Sequence, residues 1–294
     1  MKTIHLSLST LILLILTACG GGGTDSVDSS PPGSISGTVT KGPVGNATVT
    51  AFGIGNGQMG SQIGTATTDA NGNFTMTVTG HTGPVMLQVS GGRYTDEATG
   101  ASMAMTAGNV MTAAMPGIAA GGSYGGVQVT PVTAMAQAMA SRMAGGMTDT
   151  NIAAANEALG RYFAVSDILL TQPMNPLVTG SGAGASQGAR NYGMTLAAMS
   201  EYALSQGMSS SSAMVTLLMN DAADGVMNGR NGAGQISMSM GGMMGGGMMS
   251  PTAGTSGLAG AMTGFMNSNM NASGMTPAEM ASLIQTLTTS GGQL

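Results

Sequence analysis

The spacing of apolar residues changes at Pro131, and no other feature constrains the fold of this chain as strongly. Before it, apolar and polar residues alternate. Ile35 to Thr40, Ala47 to Phe52, Ile63 to Thr68, Phe74 to Thr79 and Val85 to Val89 each carry the period of two expected of a half-buried strand. Val110 to Ile118 and Val127 to Thr130 read as closing strands. Gly42-Pro43-Val44-Gly45-Asn46 is a turn between the first two strands. Asp69-Ala70-Asn71-Gly72-Asn73 predicts a tight hairpin, because Asp, Asn and Gly tolerate the backbone angles such a turn demands.

After Pro131 the apolar positions recur every three or four residues. Val132, Met135, Met139 and Met143 share one face and Gly145-Gly146 stops the helix. Thr148 to Val165 predicts a second helix burying Ile152, Ala155, Leu159, Tyr162 and Phe163. Ala189 to Gln206 predicts a third with Tyr192, Leu196, Met199 and Tyr202, and Ser212 to Ala223 a fourth with Met214, Leu217 and Leu218. A fifth carries Leu258, Met262, Phe265 and Met266. Thr276-Pro277-Ala278-Glu279 reads as a capping box with Pro at the first helical position, opening a sixth helix with Met280, Leu283, Ile284 and Leu287. The expected fold class is multi-domain α+β, a β-sandwich over 34–130 followed by an all-α helical bundle over 131–294.

The N-terminal 18 residues open with Lys2 and run through Leu6 to Leu16, too short for a stable membrane span and shaped like a secretory leader. Leu16-Thr17-Ala18-Cys19-Gly20 ends it, and Cys19 is the only cysteine of the 294 residues. These residues resemble the lipobox of bacterial lipoproteins. The resemblance implies a signal peptide over 1–18 that is removed, with acyl chains on the sulfur and amine of Cys19. It also implies residence in the outer membrane, since Gly20 stands where an Asp favours retention in the inner one. An ordinary leader with an incidental cysteine is the other reading of the same residues. Several acyl chains hold a bilayer far more tightly than the single chain that binds reversibly, at about 0.8 kcal/mol per buried methylene. Residues 19–33, with four consecutive glycines, several serines and Pro31-Pro32, read as a flexible tether.

The strand region, with its Gly-Thr-Val start, Gly42-Pro43-Val44-Gly45-Asn46-Ala47-Thr48-Val49 and Thr68-Asp69-Ala70-Asn71-Gly72-Asn73-Phe74, resembles the carboxypeptidase regulatory-like domain. That likeness covers about residues 34–98 and implies a transthyretin-like β-sandwich without catalytic residues. The zinc peptidase beside which that module often sits has no counterpart, because neither His5 nor His81 begins a His-x-x-Glu. The helical half, with Tyr192 to Ala198, resembles a region that follows the sandwich in uncharacterised proteobacterial lipoproteins, and it implies no activity.

Composition narrows the partners. Beyond the leader six Lys and Arg face twelve Asp and Glu, a formal net charge of −6, so nucleic acid is not expected as a partner. Expected partners are the membrane, through acylated Cys19, and an envelope protein or glycan. With Cys19 acylated no disulfide forms, and stability rests on the core.

Local motifs weigh little as catalytic sites. Gly184-Ala185-Ser186-Gln187-Gly188 has the nucleophile-elbow pattern, but no histidine follows position 81. Gly180 to Ala185 fits a loose dinucleotide fingerprint without the strand and helix alternation that gives it meaning. Asp69, Asn71 and Asn73 have the opening spacing of an EF-hand loop, yet Gly80 occupies the twelfth position where Glu is needed. Asp96-Glu97 reads as an open acidic pair neutralised by Arg93, and His81 as a solvated loop histidine. Asp221 and Asp224, three residues apart, either share a cation or end a helix in an Asp-Gly turn. The chain is therefore expected to have no catalytic residues and no cofactor beyond one candidate. Of 30 methionines, Met238, Met240, Met243, Met244, Met248 and Met249 crowd twelve glycine-rich residues without helical period. Soft thioethers select Cu(I) or Ag(I), so this segment is a candidate metal site. A low-complexity loop in a Met-rich chain is the alternative.

Overall fold

The computed structural model describes residues 31–105, 108–241 and 247–294. The leader, Cys19 and most of the tether lie outside the described residues. Strands occupy the first part and helices most of the second, an α+β arrangement whose change of period falls at Pro131.

Two sheets share one apolar interior. The smaller has the order β4-β1-β9, with β1 (Gly33–Val39) central, β4 (Asn73–Val78) antiparallel to it and β9 (Ser123–Val129) parallel to it. The larger has the order β3-β2-β5-β8, built from β2 (Thr48–Gly55), β3 (Gln58–Thr67), β5 (Gly83–Ser90) and β8 (Met111–Ile118). A short pair, β6 (Arg93–Thr95) with β7 (Ser102–Ala104), sits beside them. Ile35, Val39, Phe74, Met76 and Val127 of the first sheet meet Val49, Val85, Leu87 and Ala113 of the second, all at most 3% exposed. Each buried side chain of this size contributes about 1.5–3 kcal/mol.

Both N-terminal turns form, but neither joins paired neighbours. β1 and β2 lie in different sheets, as do β3 and β4, so Gly42 to Asn46 and Asp69 to Asn73 are crossings between layers. The expected hairpin across Asp69 to Asn73 is thus corrected to a tight inter-sheet turn. Asp69 still organises it: its carboxylate accepts from the Asn71 and Asn73 N–H groups at 2.8 Å and from the Asn73 side-chain amide at 3.0 Å. The side-chain and backbone bonds from Asn73 and the Asn71 N–H stabilise the carboxylate and hold its pKa below the ordinary carboxylate range. The hairpin in this region is instead β2-β3, turned at Asn56 (φ +52°) and Gly57 (φ +71°). Gly57 is required twice over, because a Cβ there would sit 1.8 Å from the Gly145 carbonyl oxygen.

The larger sheet is covered on both faces. Along β5, Val85, Met86 and Leu87 are all buried, the unbroken apolar run that a strand needs when neither side meets water. Ile54, Met86 and Ala114 face the helices and share a core with Val132, Met135, Ile152 and Ala155. Those residues lie on α1 (Pro131–Arg142) and α2 (Asp149–Tyr162). Thr130 starts α1 with a reciprocal cap: its side chain accepts from the Thr133 N–H, and the Thr133 hydroxyl accepts from the Thr130 N–H at 2.8 Å. The Thr133 hydroxyl also donates to the Thr112 carbonyl, tying helix to strand at 2.8 Å.

α3 (Gln187–Ser205) is the longest helix, with Tyr192, Met194, Ala197 and Met199 fully buried. α4 (Ser211–Ala222), α5 (Leu258–Met266) and α6 (Ala281–Thr289) complete the helical part. The sixth helix starts later than its sequence predicts. The Glu279 carboxylate does reach back to the Thr276 N–H at 2.9 Å and hydroxyl at 2.8 Å, but the box closes a separate turn and α6 begins at Ala281 without a side-chain cap. Met280, Leu283 and Leu287 are buried as expected. Among the described residues no helix is long and apolar enough to cross a membrane.

Candidate functional site

Buried polar and charged side chains gather where the loops between the strands meet α3 and α4. Lys41, which follows β1 and is the only lysine after Lys2, is 0% exposed. Its ammonium donates to Glu97 Oε2 at 2.7 Å and to the Ser200 hydroxyl, lying 5.2 Å from the centre of the Tyr94 ring. Ser200, on α3, donates to the same Glu97 oxygen at 2.6 Å. Glu97 is 2% exposed, and among the described residues no hydrogen bond reaches its second oxygen, Oε1.

Asp96 continues this polar seam into α4. Its Oδ1 accepts from the Thr99 N–H at 3.0 Å and hydroxyl at 2.9 Å, and its Oδ2 accepts from the Ser211 hydroxyl. The Tyr94 hydroxyl accepts from the Ser212 N–H at 3.1 Å. A carboxylate and a phenol oxygen thus meet the first turn of α4, where unsatisfied N–H groups and the helix dipole favour negative charge. The expectation of an open acidic pair neutralised by Arg93 is corrected on both counts. Asp96 and Glu97 are interior, Lys41 is the counter-charge, and Arg93 bonds to Ser102 across the β6-β7 pair.

Glu97 also lines a cleft of about 370 Å³ between the three-stranded sheet and α3. One side is the outer face of the sheet and its turns, with Thr38, Thr40, Pro43, Asn71 and Asn73. The other is the segment Gln172-Pro173-Met174-Asn175-Pro176, laid against Gly193 and Leu196 of α3. Only a glycine allows that approach, since a Cβ at position 193 would stand 2.0 Å from the Met174 carbonyl oxygen. The prolines hold the segment extended. Glu97 is the single ionisable residue of the lining. Among the described residues, the side chains of Thr40, Asn71 and Gln172 make no hydrogen bond to protein, while Asn73 is engaged by Thr38 at 3.2 Å and by Asp69. Nothing in the local sequence of the cleft residues marks a site, because they come from five separate stretches. The scarcity of lysine was the one available signal.

Of the six candidate methionines, the three with described side chains, Met238, Met248 and Met249, do not converge. The two ends of their segment pair with each other: the Met238 N–H donates to the Gly247 carbonyl at 2.9 Å and the Met249 N–H to the Ile236 carbonyl at 2.8 Å. Met238 and Met249 turn inward and are 6% and 1% exposed, within the helical core, while Met248 points outward at 53%. Alternation along an extended chain sends neighbours to opposite sides. The backbone of Met240 lies in a 3₁₀ turn over Met238–Gly241. Met243 and Met244 lie outside the described residues. Glycine-rich as it is, the segment packs at both of its ends, through Met238 and Met249. Among the described residues no group of three or more His, Cys, Asp or Glu is placed to hold a metal ion.

Asp221 and Asp224 do not converge. Asp221, fully buried at the end of α4, accepts through Oδ1 from the N–H groups of Asn228 at 2.9 Å, Gly229 at 2.6 Å and Arg230 at 3.2 Å. Its Oδ2 is buried without a partner among the described residues. Burial pushes its pKa up to about 6, against the three N–H groups that pull it down, with Asp224 also pushing it upward. Asp224 accepts separately from Val226 and Gly232 N–H groups. Ser186 of the elbow-like pattern is the N-cap of α3, its side chain accepting from the Ala189 N–H. His81 is half-buried, bonded through Nε2 to the Pro84 carbonyl at 2.8 Å, rather than solvated. A scan against protein-family models and a search of curated proteins found no match to this chain.

Proposed function

We propose that this chain is a non-enzymatic lipoprotein of the cell envelope, anchored in the outer membrane through acylated Cys19 and acting as a binding or structural module. Its strand region is the carboxypeptidase regulatory-like, transthyretin-like domain, and its helical region from Pro131 is a second domain docked on it. The reading of anchor and leader rests on Leu16 to Gly20. The reading of the module as a binder rests on one observation, the preformed cleft between sheet and α3. The Ser200 hydroxyl beside Lys41 supports binding over catalysis: Ser200 is 1% exposed and both groups are spent on the same Glu97 oxygen. The alternative, Cu(I) or Ag(I) binding through the Met-rich segment, draws less support with two of its six thioethers in the core.

Fractionation of cells expressing the full chain tests the anchor. Wild type is expected in the outer membrane, labelled by a palmitate analogue. Cys19→Ala is expected unlabelled and released from the membrane. Membrane retention of the unlabelled variant would refute the proposal.

A further inference from the structure

We infer that the cleft between the three-stranded sheet and α3 is a binding site for an uncharged saccharide, held by carboxamides and hydroxyls at its walls and by the free oxygen of Glu97. This rests on the reading of the chain as a binding module. Three observations carry it.

The first is the state of Glu97. It is 2% exposed and lines the cleft, yet only Oε2 is taken, by Lys41 and Ser200. Oε1 is left as a strong acceptor fixed in place at the cleft wall, open to a hydroxyl or N–H donor from a ligand. The second is charge. Lys41 already balances the carboxylate, and no cationic side chain lines the cleft, so neither an anionic nor a strongly cationic ligand finds a counter-charge.

The third is the kind of polar group on offer. Asn71 and Gln172 present carboxamides, and Thr40 a hydroxyl, that make no hydrogen bond to protein among the described residues. The Asn175 carboxamide uses its oxygen on the Leu177 N–H at 3.0 Å and keeps its NH₂. Paired donors and acceptors of this kind match neighbouring hydroxyls, each of which also gives and takes a proton. An extended peptide is matched less well. β1 is hydrogen-bonded along both edges, to β4 and to β9, so the strand beneath the cleft has no free edge to which a peptide backbone can add.

The test uses the full chain in detergent, with maltotriose, cellotriose and N,N′-diacetylchitobiose as probes and an uncharged alanine-glycine peptide as control. Binding is read by saturation-transfer NMR and titration calorimetry. At least one saccharide is expected to bind, and Asn71→Ala with Gln172→Ala to weaken it about tenfold or more by removing two ligand hydrogen bonds. Both side chains are exposed and unengaged, so the double variant should keep the wild-type melting temperature. Glu97→Gln is expected to weaken the same saccharide further. Saccharide binding undiminished in the double variant, no saccharide bound at about 10 mM, or binding of the peptide alone would each overturn the inference. Cleavage of a bound probe would support the ligand class and overturn the non-enzymatic reading.

Discussion

Lys41→Met removes the one cation buried beneath the cleft while keeping an unbranched apolar side chain of similar reach. Lys41 and Glu97 have side chains 1% and 2% exposed and meet at 2.7 Å. Removing one member of such a pair strands the other charge out of water, at a cost of about 3–5 kcal/mol. The Ser200 hydroxyl still donates to the carboxylate at 2.6 Å, which keeps the loss toward the low end, about 3 kcal/mol. That is about a hundredfold fall in the ratio of folded to unfolded chain. Replacing both, Lys41→Met with Glu97→Met, leaves no stranded charge, and the double variant is expected within about 1 kcal/mol of wild type. Urea unfolding followed by far-ultraviolet circular dichroism, extrapolated linearly, gives all three values. A single-variant cost below about 1 kcal/mol, or a double variant no more stable than Lys41→Met alone, would show that the pair is not the buried interaction described.

Asp221 makes stability depend on pH in the opposite sense to a salt-bridged acid. Its carboxyl value is about 6 when folded and 3.8 in the ordinary case, so between these the folded chain holds a proton that the unfolded chain has released. Stability should fall by about 3 kcal/mol as pH rises through that window, and Asp221→Asn should flatten this part of the pH–stability curve; an unchanged slope would refute the assignment. Gly193→Ala forces the Met174 backbone away, costing about 1–3 kcal/mol and weakening any cleft ligand, whereas Gly184→Ala, with open space around its Cβ, should do neither; equal melting temperatures for the two would contradict the packing. Met249→Ala should cost about 2–5 kcal/mol and Met248→Ala less than about 0.5 kcal/mol in the same unfolding assay, since only the first empties a core site. Silver(I) titration of the variant with all six segment methionines changed to Leu is expected to match wild type, and tighter wild-type binding would restore the metal reading.

Much of this fold is legible in the sequence, because helix faces and strand alternation are local properties. Ile152, Leu159, Leu196, Leu217 and Phe265 are buried where a period of 3.6 places them. Turns are legible but their connections are not: Asp69 to Asn73 has the chemistry of a sharp reversal whether its flanking strands pair or part to opposite sheets, and burial at distant positions decides which. The β2-β3 hairpin was concealed by Gly53, Gly55, Gly57 and Gly60, although Asn56-Gly57 is a strong turn signal. Less of the site could be read. Lys41 and Glu97 are 56 residues apart and Ser200 is a further 103 away, so no window on the chain contains the pair or the cleft. The Met-rich segment shows the converse error, since composition describes a stretch as a whole while Met248 and Met249 are adjacent and point to opposite environments.

The place of β1 in its sheet has a mechanical consequence. The chain enters the described fold at its N-terminal side and passes directly into a central strand, bonded to β4 on one edge and β9 on the other. Tension applied through that end acts along β1, so the two ladders resist in shear and share the load instead of opening one bond at a time. A terminal edge strand would peel from its sheet. A pull on that end is therefore carried by a strand bracketed on both edges.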